Sequence, residues 1–230
     1  MSAGEPNPID APGTAEETWR SWDGLGALPV LDVSRWRNVV VLAAHPDDEV
    51  LGAGGLMALL ADAGVRLRLV AVTDGEASHP GEDVAPRRVA ETADALKHLG
   101  DCEVVRLGMP DTGVRDTELA RLLPGLLDGF DVCLAPWEKD VHSDHEATGR
   151  AALTCGVQVL RFPIWTWHWA RPADPRLPWD RAVQMPLPAE IAERKRAAIE
   201  CFTSQLEGPD PILPPGIVAH FTRCREVFFR

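Results

Sequence analysis

Three features of the 230-residue sequence predict an α/β fold built on a Rossmann-like, mainly parallel sheet with helices on both faces. Short apolar runs alternate with longer segments of helical periodicity. The runs are apolar at consecutive positions, as in strands buried on both faces. Polar clusters rich in His and Asp follow several of the runs, and in open parallel sheets the ligand site lies beyond the carboxyl ends of the strands.

Val39 to Ala44 is the first strand, and Val50 to Ala63 is a helix with Leu51, Leu56, Leu59 and Leu60 on one side and Gly64 as its stop. Leu67 to Val72 is a second strand, Pro86 to Leu99 a helix closed by Gly100, and Glu103 to Leu107 a third strand. Asp116 to Leu127 then reads as a helix, Val132 to Ala135 as a strand, His145 to Thr154 as a helix and Val157 to Phe162 as a fifth strand. Beyond a tryptophan-rich segment between Pro163 and Pro178 come a strand over Ala182 to Met185 and one long helix over Ala189 to Leu206.

Upstream of this frame, residues 1 to 17 are rich in Pro, Gly and acid and are expected to form a mobile tail. Residues 18 to 36 carry Trp19, Trp22, Leu25, Leu28, Leu31 and Trp36 and are too apolar for solvent; they are expected to be a strap packed over a single domain spanning 37 to 230. A formal net charge of −12 argues against a nucleic-acid or anionic-membrane partner, since both require a basic surface. Five scattered cysteines, never in C-x-x-C, suggest neither a disulfide framework nor a thiolate metal site. With no signal-like N-terminus and no run of 18 apolar residues, the expected location is the cytoplasm.

The chemistry concentrates in two motifs. In H-P-D-D-E, residues 45 to 49, three adjacent acids repel one another unless a cation is shared among them. His45 and Asp48 are spaced i, i+3, which on a helical turn puts both on one face, and V-H-S-D-H, residues 141 to 145, repeats that spacing with His142 and His145 around Asp144. Two imidazoles and a carboxylate, with a fourth position left to water, are the usual set for catalytic zinc. Such an N/O site suits Zn²⁺ best, with Fe²⁺, Co²⁺ or Mn²⁺ as alternatives. One acid then remains beside the metal as a general base, and Asp144 is placed to orient His142 or His145.

Ala44-His45-Pro46-Asp47-Asp48-Glu49 taken with His142-Ser143-Asp144-His145 resembles the PIG-L/LmbE-like zinc-dependent deacetylases, which hydrolyse N-acetyl groups from glucosamine-containing molecules. Thr73-Asp74-Gly75-Glu76, Arg88 to Glu91, Leu99-Gly100, Leu107 to Asp111, Lys195 and Ser204-Gln205 support the likeness, which spans roughly residues 37 to 206. The resemblance implies an LmbE-like fold. It implies His45, Asp48 and His145 as metal ligands, Asp47 as general base, His142 as the group stabilising the tetrahedral intermediate, and Arg88 and Asp111 as substrate contacts. The implied substrate is a small amidated sugar or a glycosylated natural product. The chain contains no tyrosine, so a tyrosine hydroxyl at the oxyanion is absent, and the strap and tryptophan-rich segment have no evident family counterpart.

Three other readings compete. Gly52-Ala-Gly54-Gly55 suggests a nucleotide loop, but the glycines come eight residues after Ala44, inside the expected helix and not at the strand end where that fingerprint must begin. A catalytically inactive metal-binding module is countered by the intact set of central polar residues. An amidase acting on a larger acyl group or a thiol conjugate shares the same metal motifs, and only the substrate wall separates it from a sugar deacetylase.

Overall fold

A computed structural model of the chain describes residues 8 to 230. Its seven strands are β1 (Asn38–Ala43), β2 (Arg66–Ala71), β3 (Glu103–Arg106), β4 (Val132–Pro136), β5 (Gln158–Phe162), β6 (Ala182–Pro186) and β7 (Arg225–Phe229). They form one sheet in the order β3-β2-β1-β4-β5-β7-β6. The first five strands are mutually parallel, and β7 runs antiparallel between β5 and β6.

The helices are α1 (Glu16–Arg20), α2 (Asp48–Asp62), α3 (Ala85–Leu99), α4 (Asp116–Leu127), α5 (Ser143–Ala152), α6 (Thr166–Trp169), α7 (Ala189–Glu200), α8 (Thr203–Leu206) and α9 (Pro215–Phe221). Because successive strand residues face opposite sides, Val39, Val41 and Ala43 enter one core while Val40 and Leu42 enter the other. On the first side α2, α3 and α7 pack against one another; on the second α4 packs on α5. The apolar run of β1 therefore reports a strand covered on both faces.

The structure corrects the sequence reading at three places. The single helix expected over Ala189 to Leu206 is broken at Cys201 and Phe202, where Phe202 adopts ψ 56° and buries its ring. The Glu91 carboxylate on α3 accepts from Ser204 N at 2.7 Å, Ser204 Oγ at 2.6 Å and Thr203 Oγ1 at 2.9 Å, so a distant acid captures the start of α8. Strand β7 is absent from the sequence reading, although Val227, Phe228 and Phe229 form a short apolar run.

The mobile tail is the third correction. Its first seven residues lie outside the described ones, but Thr14 N donates to His168 O at 2.7 Å and His168 Nε2 meets Ala11 O at 2.9 Å. Glu16 is buried on Arg223 and His220. Downstream, Trp19, Leu25, Leu31 and Trp36 are buried, as their apolarity requires, and Leu31 N bonds Gln184 O while Gln184 N bonds Pro29 O. The strap thus pairs with β6 and covers that sheet edge, which would otherwise offer unpaired backbone groups to another chain.

Candidate active site

From β1 the chain steps outward through β2 to β3, then returns across β1 to β4. That reversal makes the β1–β4 boundary the switch point, where a crevice opens at the strand ends. The turn after β1 delivers His45, Asp47 and Asp48; the segment after β4 delivers Asp140, His142, Asp144 and His145. Gly149 brings α5 close to β4, since a Cβ there would lie 2.5 Å from Pro136 O and 2.7 Å from Glu138 N. Among the described residues, two of the four non-glycine positions with positive φ line this crevice, Asp47 at 127° and Thr112 at 63°, and a third, Val141 at 76°, directly precedes His142. Backbone strain of this kind persists only where surrounding contacts over-determine it, typically at functional sites.

The two motifs meet. His45 Nδ1 lies 3.2 Å from His145 Nε2 and 3.7 Å from Asp48 Oδ2, and His145 Nε2 lies 3.2 Å from Asp48 Oδ1. His45, Asp47, Asp48, Asp144 and His145 are all buried. His142 stands at the start of α5 with its ring centroid 4.7 Å from those of both His45 and His145. Its Nδ1 accepts from Asp144 N at 3.3 Å, which leaves the proton of a neutral ring on Nε2.

Each inward-facing imidazole is anchored through its other nitrogen. His145 Nδ1 meets Asp140 Oδ2 at 2.7 Å, and the same carboxylate accepts from the backbone N–H groups of Ile164, Trp165 and Thr166 and from Thr166 Oγ1. Sequence reasoning missed Asp140. A ligating His needs an acceptor on its second nitrogen, but an acid five residues upstream has no helical relation to it. His45 Nε2 lies 3.1 Å from Asp111 Oδ1 and 3.2 Å from Asp144 Oδ2.

Asp144 therefore departs from its expected place. Its carboxylate faces His45 and accepts from Thr112 N at 2.7 Å and Val114 N at 3.2 Å, while only its backbone N–H reaches His142. Asp111, expected as a substrate contact, borders the crevice but spends its carboxylate on His45 and on Ala77 N at 2.9 Å. Arg88 also reaches the crevice and is committed internally. It donates to Gly75 O at 3.1 Å, Pro46 O at 2.6 Å and Asp47 Oδ2 at 3.2 Å. Gly75, at φ 70°, is what lets the guanidinium in, because a Cβ there would meet Arg88 Nη1 at 2.2 Å.

Electrostatics follow from this crowding of acids. Burial pushes the Asp47 carboxyl up to about 7, against the pull of Arg88, with Asp48 adding to the rise. Burial likewise raises Glu49 to about 8; its Oε2 accepts from Asp47 N at 3.2 Å and its Oε1 has no partner among the described residues. Burial lowers His145, yet Asp48 and Asp140 more than offset it and hold the ring at about 9. His142, desolvated and beside two other imidazoles, falls to about 4.

Residues 40–155, a little over half of the chain, match the PIG-L family, described as GlcNAc-PI de-N-acetylase. The chain belongs to the PIG-L family. A curated relative of this PIG-L protein, 1D-myo-inositol 2-acetamido-2-deoxy-alpha-D-glucopyranoside deacetylase from Kineococcus radiotolerans, is 37% identical over 111 residues, covering 44% of this chain and 30% of its own. The chain thus spans less than a third of that relative's length. Among solved structures, the conserved protein TT1542 from Thermus thermophilus matches with a TM-score of 0.64 and 25% identity over 84% of this chain and 94% of that one. The A40926 pseudoaglycone deacetylase Dbv21 matches with a TM-score of 0.62 and 19% identity over 85% and 97%, which bears on the fold.

The residues present fit a divalent metal. Ligand atoms of His45, His142 and His145 all lie within 4.8 Å of one another, as do those of His45, Asp111 and Asp144. The Asp48 carboxylate lies against the first group, 3.7 Å from His45 Nδ1 and 3.2 Å from His145 Nε2. Buried acids gathered around two imidazoles, with Arg88 paired to Asp47, are a donor set that a cation would satisfy.

Proposed function

We propose that this PIG-L protein is a metal-dependent hydrolase that removes the N-acyl group, an acetyl in the simplest case, from a glucosamine-containing small molecule or glycosylated natural product. The observation that carries the reading is the convergence of His45 Nδ1, His145 Nε2 and the Asp48 carboxylate beside Asp47 and His142. The named deacetylase relative supports it.

His45, Asp48 and His145 would hold the metal, with Zn²⁺ the best match to this N/O set and Fe²⁺, Co²⁺ or Mn²⁺ as alternatives. A bound divalent cation lowers the pKa of water to roughly 7 and polarises an amide carbonyl. Asp47, steered by Arg88, takes the proton from the attacking water. With Nδ1 occupied by Asp144 N, His142 presents its Nε2–H to the developing oxyanion, the task for which this chain has no tyrosine. Asp140 and Asp144 hold the rings of His145 and His45 so that their inward nitrogens stay free. None of the described helices is long and apolar enough to cross a membrane.

The test is an amine-release screen across N-acetylglucosamine derivatives with metal quantified in the same preparation. Release that tracks metal occupancy is expected. Full activity in demonstrably metal-free protein would overturn the reading.

A further inference from the structure

The cavity over the site, about 220 Å³, is lined by side chains of two kinds. His45 and Asp48 after β1 and His142 and His145 after β4 occupy the middle. On the side of β2 and β3 the lining is Ala77, Ser78, Asp111 and, from α3, Arg88. On the side of β5 it is Ile164 and Trp165; Leu51, one turn into α2, and Ile212 and Leu213, from the segment that leads into α9, also line the cavity, and all five are apolar. Beside them Gln205, on α8, adds a polar amide that donates to Ser204 Oγ at 2.9 Å.

A pyranose carries hydroxyls around its ring, and pressing them against Leu51, Ile164, Ile212 and Leu213 would strip their water without giving partners. The sugar therefore belongs on the side of Ser78 and Asp111, whose oxygens keep lone pairs for its hydroxyls beyond the bonds they already make, which leaves the acyl group of the same amide to face the wall of apolar side chains. An acetyl group offers that wall a single methyl. We propose that the preferred substrate carries an N-acyl chain longer than acetyl, seated against Leu51, Ile164, Trp165, Ile212 and Leu213. The proposal rests on the hydrolase reading above and adds the class of acyl group to it. Each methylene buried there should raise kcat/KM about fourfold, the factor equivalent to about 0.8 kcal/mol per CH₂, until the wall is filled.

The experiment uses the full chain with metal bound and compares N-acetyl-, N-propionyl-, N-butyryl- and N-hexanoylglucosamine. Amine release gives kcat/KM and titration calorimetry gives Kd for the same four compounds. The expected result is a rise of tenfold or more in kcat/KM from acetyl to butyryl, with tighter binding in parallel. Ile212, half-buried on a loop, supplies the variant: Ile212→Ala should reduce the butyryl-to-acetyl ratio several-fold. A preference for acetyl with a fall at propionyl overturns the proposal. So does a gain confined to octyl glycosides of N-acetylglucosamine, which would assign the wall to an aglycone. If no compound releases amine, the hydrolase reading fails by itself; binding that still tightens with acyl length supports the apolar wall, and binding indifferent to length overturns it.

Discussion

Replacing Asp47 with Asn keeps the size of the side chain and removes its ability to take a proton at neutral pH. Asp47→Asn should retain near-stoichiometric metal and lose on the order of 10² to 10⁴ in kcat. His145→Ala removes a proposed ligand and should lose metal and rate together. His142→Ala distinguishes two roles, because His142 lies within ligand reach of His45 and His145 as well as beside the reaction path. It is expected to keep the metal and lose rate, and loss of metal would put His142 in the ligand set. Asp140→Asn is a different kind of change. It places an amide NH₂ among backbone N–H donors that need an acceptor and loosens His145, so metal affinity should fall by roughly 10 to 100-fold. Metal analysis beside single-turnover rates, on all four variants, is the measurement.

At the scale of elements, the N-terminal segment is tied to the body through Glu16. Arg223 Nη2 donates to Glu16 Oε2 at 2.6 Å, Arg223 Nε donates to Oε1 at 2.9 Å, and His220 Nδ1 lies 2.8 Å from Oε2. Although burial acts to raise it, these partners bring the Glu16 carboxyl down from 4.5 to about 2. A carboxyl lowered by folding stabilises the native state above its unfolded pKa, and that stability is lost as pH falls through the folded value. Glu16 should contribute on the order of 3 kcal/mol at neutral pH. The gap in unfolding free energy between the natural chain and Glu16→Gln should therefore shrink as pH drops from about 5 toward 2, and a gap independent of pH would refute the pairing. For the same reason, deletion through residue 17 should lower Tm, since Arg223 and His220 would be left buried without their acid. The second buried pair locks helices to the sheet. Lys195 Nζ donates to Glu226 Oε1 at 2.7 Å and to Leu51 O at 2.8 Å, and Glu226 accepts from Gly55 N and Leu56 N, so β7, α7 and α2 share one ion pair. Glu226→Gln removes the charge that Lys195 needs and should cost about 3 to 5 kcal/mol in chemical denaturation.

For the whole molecule, a metal at the β1–β4 boundary would join the two halves of the sheet around its switch point, with ligands after β1 on one side and after β4 on the other. Binding to the folded state alone raises stability by mass action, about 2.7 kcal/mol at a hundred times Kd. In a domain of this size that corresponds to roughly 5 to 10 °C in Tm. Dialysis against a strong chelator should lower Tm by that amount and abolish amine release, and added Zn²⁺ or Fe²⁺ should restore both. An unchanged Tm with unchanged activity would exclude a metal at this position.

The alternating layout of strands and helices was legible in the sequence, because a strand buried on both faces must be apolar at every position, as Val39 to Ala43 are. The sequence also showed that His45, Asp47, Asp48, His142 and His145 fall at one sheet edge, since each motif lies in the segment that leads out of a strand. It could not show which acids serve which rings. Asp140 on His145 and Asp144 on His45 are contacts set by the fold, and no helical or strand period links Asp144 to His45, 99 positions away. Nor could local patterning place β7 between β5 and β6 or break the last long helix at Phe202, where the decision belongs to Glu91 on another helix. Periodicity reports which face of an element is buried, whereas hydrogen-bond partners across the chain depend on distances that exist only after the chain has folded.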